Sequence, residues 1–148
     1  MILEQDINPS GLVTIVHSNA SGEILSKQTV KNLVVTSGKQ FIAAKMIATT
    51  NSPVSMTHMA IGTGSTSPTA GDTQLGSEGA RVTLTPSTST NTVTYTATFP
   101  ANSGTGAVTE AGVFNNSSGG TMLCRTVFPQ VNKQAGDTIA ITWVVTVS

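Results

Sequence analysis

Few residues in this sequence could do chemistry. It holds two histidines, one cysteine and seven carboxylates among 148 residues. Glu78 and Glu110 invite one reaction, since a pair of carboxylates can flank and hydrolyse a glycosidic bond. Sugar sites, however, are built with aromatic platforms, and the chain has one Trp, one Tyr and four Phe. Trp143, Tyr95 and Phe99 are more economically placed in a core. His17 and His58 have no Cys, Asp or Glu close in sequence, whereas a zinc site needs three or four clustered ligands. His58, between Met56 and Ala60 on one strand face, reads as a packed, hydrogen-bonded histidine. Cys124 is alone, which excludes an intrachain disulfide and a cysteine-based metal site. In the run Met122-Leu123-Cys124-Arg125 it behaves as a small hydrophobe, without the neighbouring base a nucleophile requires. Gly62-Thr63-Gly64 follows an apolar run as a phosphate loop would, but no Gly-Lys-Ser/Thr follows and no helix opens there. The sequence therefore predicts no catalytic residue, no cofactor and no metal, and a protein that is not an enzyme.

Composition narrows the classes further. Charged residues make up 9% of the chain, against about 25% in an ordinary domain, and Ser and Thr fill roughly a quarter of it. Formal net charge is zero, and the seven basic residues are scattered from Lys27 to Lys133. Phosphate backbones need clustered Lys and Arg, so nucleic acid is not an expected partner. A neutral surface is poorly protected against association, which suggests that neighbours cover much of it. The start, Met-Ile-Leu-Glu-Gln-Asp, lacks the basic and apolar regions of a signal peptide. No apolar run approaches the roughly 18 residues of a membrane span. The expectation is a soluble protein made in a cytoplasm.

The elements that must position these residues are mostly strands. Residues 1–10 read as an arm, closed by Pro9-Ser10-Gly11. Leu12–His17 and Ile24–Val30 form a hairpin around Ser18-Asn19-Ala20-Ser21-Gly22. One short helix is expected near residues 37–48, with Ser37 capping its first turn and Phe41, Ile42, Ala44, Met46 and Ile47 as its apolar face. Strands follow at 56–61, 81–85, 92–99, 107–114, 121–128 and 138–147, with loops at 62–72 and after Pro86. In 92–99, Val93, Tyr95, Ala97 and Phe99 alternate with four threonines, the pattern of a half-buried antiparallel strand. Seven or more short strands with turn signals between them predict a single mainly β domain, an antiparallel β-sandwich with an N-terminal hairpin.

One ordered set of motifs points further. His58-Met59-Ala60-Ile61-Gly62-Thr63-Gly64 is followed by Thr73-Gln74-Leu75, Glu78, Arg81 and Glu110-Ala111-Gly112-Val113-Phe114. This order resembles the N-terminal attachment region of bacteriophage tail-collar fibre proteins, over about residues 33–148. The resemblance implies a trimerising module that fixes a fibre to the tail or baseplate. Those fibres continue into a shaft and a receptor-binding tip, whereas this sequence stops at Ser148 and adds a hairpin at 11–31. The expected function is thus a non-enzymatic structural protein of a tailed-phage virion, docking on tail, collar or baseplate by protein–protein contacts. A capsid decoration (cement) protein stabilising the head is the alternative, and a small carbohydrate-binding or hydrolytic protein a third reading. The expected partners are other virion proteins and further copies of the chain, as a homotrimer or as copies held by a lattice; no nucleic acid and no membrane are expected.

Candidate contacts with those partners are Met1, Ile2 and Leu3 of the arm and Gly62, Gly64, Pro68 and Asp72 of the first long loop. Both segments are too polar, or too broken by Gly and Pro, to be core, and ordered long loops are usually functional. Finally, residues 107–114 and 121–128 flank a turn-forming Asn115-Asn116-Ser117-Ser118-Gly119-Gly120. If Phe114 pairs with Thr121, the ladder sets Glu110 directly opposite Arg125, an ion pair that would lock the register.

Overall fold

The computed structural model describes residues 8–47 and 52–148. The chain is mainly β, with ten strands and one helix among the described residues. In order these are β1 (Pro9–Ser18), β2 (Ile24–Lys31), β3 (Leu33–Val34), α1 (Thr36–Lys45), β4 (His58–Gly62) and β5 (Glu78–Thr83), then β6 (Thr85–Ser89), β7 (Thr92–Phe99), β8 (Gly106–Phe114), β9 (Met122–Lys133) and β10 (Thr138–Val147). They form two five-stranded antiparallel sheets. Sheet A has the order β2-β1-β10-β7-β6 and sheet B the order β3-β9-β8-β4-β5.

Alternation along the strands decides which face is buried. Val13 and Ile15 of β1, Ile139, Ile141 and Trp143 of β10, and Tyr95, Ala97 and Phe99 of β7 point from sheet A into the core. They meet Met59 and Ile61 of β4 and Ala111 and Val113 of β8 from sheet B. The result is a β-sandwich with one contiguous core. The buried Cys124 thiol belongs to that core, and desolvation there pushes its pKa far up. It is therefore held as a neutral thiol.

Several boundaries differ from those the sequence predicts. Strand β1 already begins at Pro9, so Pro9 and Ser10 belong to the sheet and not to an arm. A proline is tolerated there because the first residue of a strand can do without a ladder donor. Met1, Ile2 and Leu3 lie outside the described residues, as does residue 48, the last of the predicted helix. Ser37 does not cap α1. The cap position is Val35, which makes no side-chain cap bond, and Ser37 Oγ donates instead to the Met122 carbonyl at 2.8 Å. Tertiary contacts replace the cap, because the Thr36 amide donates to the Ala70 carbonyl. Thr85 belongs not to the strand predicted at 81–85 but to an edge strand, Thr85–Ser89, which also takes in the start of the loop predicted after Pro86 and is laddered to β7. Its Pro86 is compatible with an edge.

Candidate functional site

Among the described residues, the outer face of sheet B carries most of the paired charge. One row across it reads Arg81 on β5, Ala60 on β4, Gly112 on β8, Arg125 on β9 and Leu33 on β3. Two arginines therefore flank a trough of small residues. Leu75 drops into that trough and packs with Ala60, Phe114, Met122 and Val35 in a second, outer apolar cluster. A Cβ on Gly112 would stand 3.0 Å from Leu75 Cδ2, so the trough depends on the missing side chain. The loop from Thr63 to Ser77 thus lies as a cover over sheet B.

Glu110 fastens this cover. Its side chain is fully buried. Oε1 accepts from the Gly64 amide at 2.9 Å and the Ser77 amide at 2.7 Å. Oε2 accepts from the Gly76 amide at 2.9 Å and from Arg125 Nη2 at 2.8 Å and Nε at 3.1 Å. Five donors saturate a carboxylate that has about four lone-pair sites. Burial pushes the Glu110 pKa up, but the bonds from Ser77, Gly76, Arg125 and Gly64 outweigh it and hold the group below the usual carboxylate range. Arg125, almost fully buried, also bonds the Asp72 carboxylate at 2.9 Å and the Thr66 carbonyl at 3.0 Å. Asp72 is depressed too: partial burial raises it, and the Thr69 amide and hydroxyl with Arg125 lower it by more. Gly62 and Gly64 are required by this closeness. A Cβ on Gly62 would meet the Ser77 carbonyl oxygen, and one on Gly64 the Glu110 carboxylate.

The ladder that carries this pair corrects the predicted register. Glu110 stands opposite Val127, and Arg125 opposite Gly112. Two features shift the strands. Phe114 pairs with Met122, because the turn is one residue longer than the six predicted, and a bulge after Val113 sets that residue against Cys124. Gly119 and Gly120, both at positive φ, close the turn. Each feature moves the register by one residue. A shift of one would flip every side chain, whereas two restore the face. Glu110 and Arg125 are therefore diagonal neighbours on one face, within reach of long side chains.

The other candidate residues have quieter surroundings. Pro68 is half-buried in the cover loop. Glu78 is turned to Arg81, which it grips through both carboxylate oxygens at 2.8 Å. The Arg81 guanidinium lies 3.9 Å from the centre of the Phe114 ring and donates to the carbonyls of Asn116 and Gly119. His58 Nδ1 is 2.8 Å from Thr57 Oγ1. His17, without an acidic neighbour in sequence, has one in space: its Nε2 is 2.8 Å from Asp137 Oδ2. Periodicity of the flanking strands gives no signal for that pair, since 120 residues separate its members. Among the described residues no group of three or more His, Cys, Asp or Glu could hold a metal, and no helix is long and apolar enough to cross a membrane.

The outer face of sheet A is different in kind. A single row runs Thr29, Thr14, Thr142, Thr96, Thr85 through β2, β1, β10, β7 and β6. Along β7, Thr92, Thr94, Thr96 and Thr98 share this face, opposite the buried Val93, Tyr95, Ala97 and Phe99 alternation. The charged side chains on it, Lys27 and Lys31, sit on the edge strand β2. Comparisons with protein-family models, with curated proteins and with solved structures found no match to this chain.

Proposed function

We propose that this chain is a non-enzymatic structural protein of a tailed-phage virion, a module docking on tail, collar or baseplate through protein–protein contacts. The observation that carries the reading is how the motif pieces of the resemblance fit together. Gly64 binds Glu110, and Leu75 packs on Ala60 and Phe114. Glu78 braces the Arg81 that stacks on Phe114. Residues recognised only by their order along the chain thus form one physical unit, the cover loop and the sheet beneath it. A unit whose polar groups are spent holding a loop in shape suits a rigid part that is itself held by neighbours. The hydroxyl-rich middle of the outer face of sheet A, away from Lys27 and Lys31 on the β2 edge, suits close packing against another protein, where charge would have to be desolvated.

The test is to purify the phage particles whose genome encodes this chain and locate it by quantitative mass spectrometry and electron microscopy. Copies in the tens at the tail, collar or baseplate are expected. Copies in the hundreds over the shell would move the protein to the capsid as a cement. Absence from the particle, or glycan binding by the isolated protein, would overturn the reading.

A further inference from the structure

In the single chain the outer face of sheet A has an apolar middle, on the β1–β10 pair. Leu12 stands beside Val144 and Val16 beside Ala140, with Thr14 and Thr142 between them. Leu12 is 49% exposed, Ala140 and Thr142 are exposed, and Val16 and Val144 are half-buried. Hydroxyls of β7 and β6 and two lysines of β2 surround this patch. An apolar centre inside a polar rim is the usual anatomy of a protein–protein interface. The face is also large enough to be one. Its five strands, about 4.8 Å apart, and four side-chain rows, about 6.7 Å apart, cover roughly 600 Å² in projection. Side-chain relief adds to that figure, and a standard interface takes about 800 Å² of accessible surface from each partner.

We propose that a second copy of this chain packs on this face, sheet A against sheet A, about a two-fold axis that runs along β10. The proposal rests on the packing role given above to this face and names the partner. Strand order and charge select both the occupant and the axis. β10 is the third strand of five, so an axis along it lays the β2 edge of one copy over the β6 edge of the other. Sheets packed face to face keep their strands within about 30° of each other, as this axis requires.

Charge on the face is confined to one edge. Lys27 and Lys31 stand on β2, whereas the opposite edge, β6, presents Thr85 and Ser87. Among the described residues no carboxylate stands on these rows. Lys31 shares a row with Ser87 through Leu12, Val144 and Thr94, so across the axis it faces Ser87 of the other copy. Each ammonium then stays at a rim, in water, and avoids the cost of burial. An axis across the strands would instead set Lys27 against Lys31 of the other copy, where like charges repel. A foreign partner would have to bring a flat surface with the same apolar centre and uncharged flanks. A second copy brings it by symmetry, and closed two-fold pairs are the commonest soluble oligomers.

Sedimentation velocity of the full-length protein over a wide concentration range tests this in solution, so that it and the placement in a virion can fail separately. A monomer–dimer equilibrium is expected. Thr142 lies on the axis and meets its own counterpart, so Thr142→Asp and Thr142→Lys should each give monomers, and an equimolar mixture of the two should give dimers again. A wild type that stays monomeric or forms a trimer would overturn the proposal. A dimer that both variants keep, or a mixture of folded variants that stays monomeric, would overturn it too. A second measurement at the exposed β6 edge leaves the centre untouched and decides the matter if the Thr142 variants do not fold. Ser87→Glu should tighten the dimer several-fold through Lys31 of the other copy, and Ser87→Lys should weaken it several-fold. Equal dissociation constants for these two variants would overturn the proposal.

Discussion

The two outer faces of the sandwich solve the same problem in opposite ways. Sheet B is covered, and its cover is clamped by a buried carboxylate and a buried guanidinium. Sheet A is left open and made wettable by threonine hydroxyls, with charge confined to its β2 edge. Threonine is suited to that task, since β-branching favours the strand while the hydroxyl bonds water or a neighbouring residue, as Thr14 and Thr29 do at 3.2 Å. The contrast separates two uses of polarity. On sheet B the side chains of Glu110, Arg125, Glu78 and Arg81 each have specified partners. On sheet A the polar groups are interchangeable. Substitution should therefore be costly on one face and nearly silent on the other.

The largest effect is expected at the clamp. Glu110→Gln removes the charge that balances Arg125 and leaves amides of the cover loop poorly satisfied. Breaking such a pair costs about 3–5 kcal/mol, and Asp72, still on Arg125, places the loss at the lower end, about 3 kcal/mol in urea melts. Arg125→Ala should be similar, and the double variant Glu110→Ala/Arg125→Ala should lose clearly less than the sum of its singles. Strict additivity would mean that the two side chains do not work as a unit. Next comes Gly62→Ala, which drives a methyl into the Ser77 backbone oxygen and should cost about 1–3 kcal/mol as overpacking does. A neutral result would show that the cover is loose.

The pH dependence sharpens the comparison from the same side. Glu110 and Asp72 both have depressed folded-state pKa values, set against burial by the Ser77, Gly76 and Gly64 amides, the Thr69 donors and Arg125. The unfolded chain therefore binds protons first as pH falls. The stabilisation is complete above the ordinary carboxylate pKa of about 4 and is lost as pH drops through the lower folded values. Urea midpoints should hold steady from neutral pH to about 5 and fall below that. Asp72→Asn should flatten the fall, and an unchanged profile in that variant would remove Asp72 from the clamp. The smallest effect belongs to sheet A. Thr142→Val, in the centre of the threonine row, should change stability by no more than about 0.5 kcal/mol. A loss above 1 kcal/mol would mean that the hydroxyl row is a bonded network and not an open face.

What the sequence by itself determined was whatever depends on period and composition. Alternation in Thr92–Phe99 and Thr138–Val147 places those two strands at the bounds the structure has, because a pleated strand with one buried face must repeat every second residue. The sandwich class follows from the same signal. The tertiary structure alone decided what depends on distance between strands. Thr85–Ser89 carries no apolar alternation and becomes a strand only because β7 offers it a ladder. Glu110 and Arg125 are both visible as rare charges, yet their relation was set by a longer turn and a bulge, each invisible to a count of alternating residues. The covering loop was legible as a loop but not as a cover. Its fixed shape comes from amides at Gly64, Gly76 and Ser77 converging on one carboxylate 33 to 46 residues away, and local sequence cannot express a bond whose partner is brought into place by the fold.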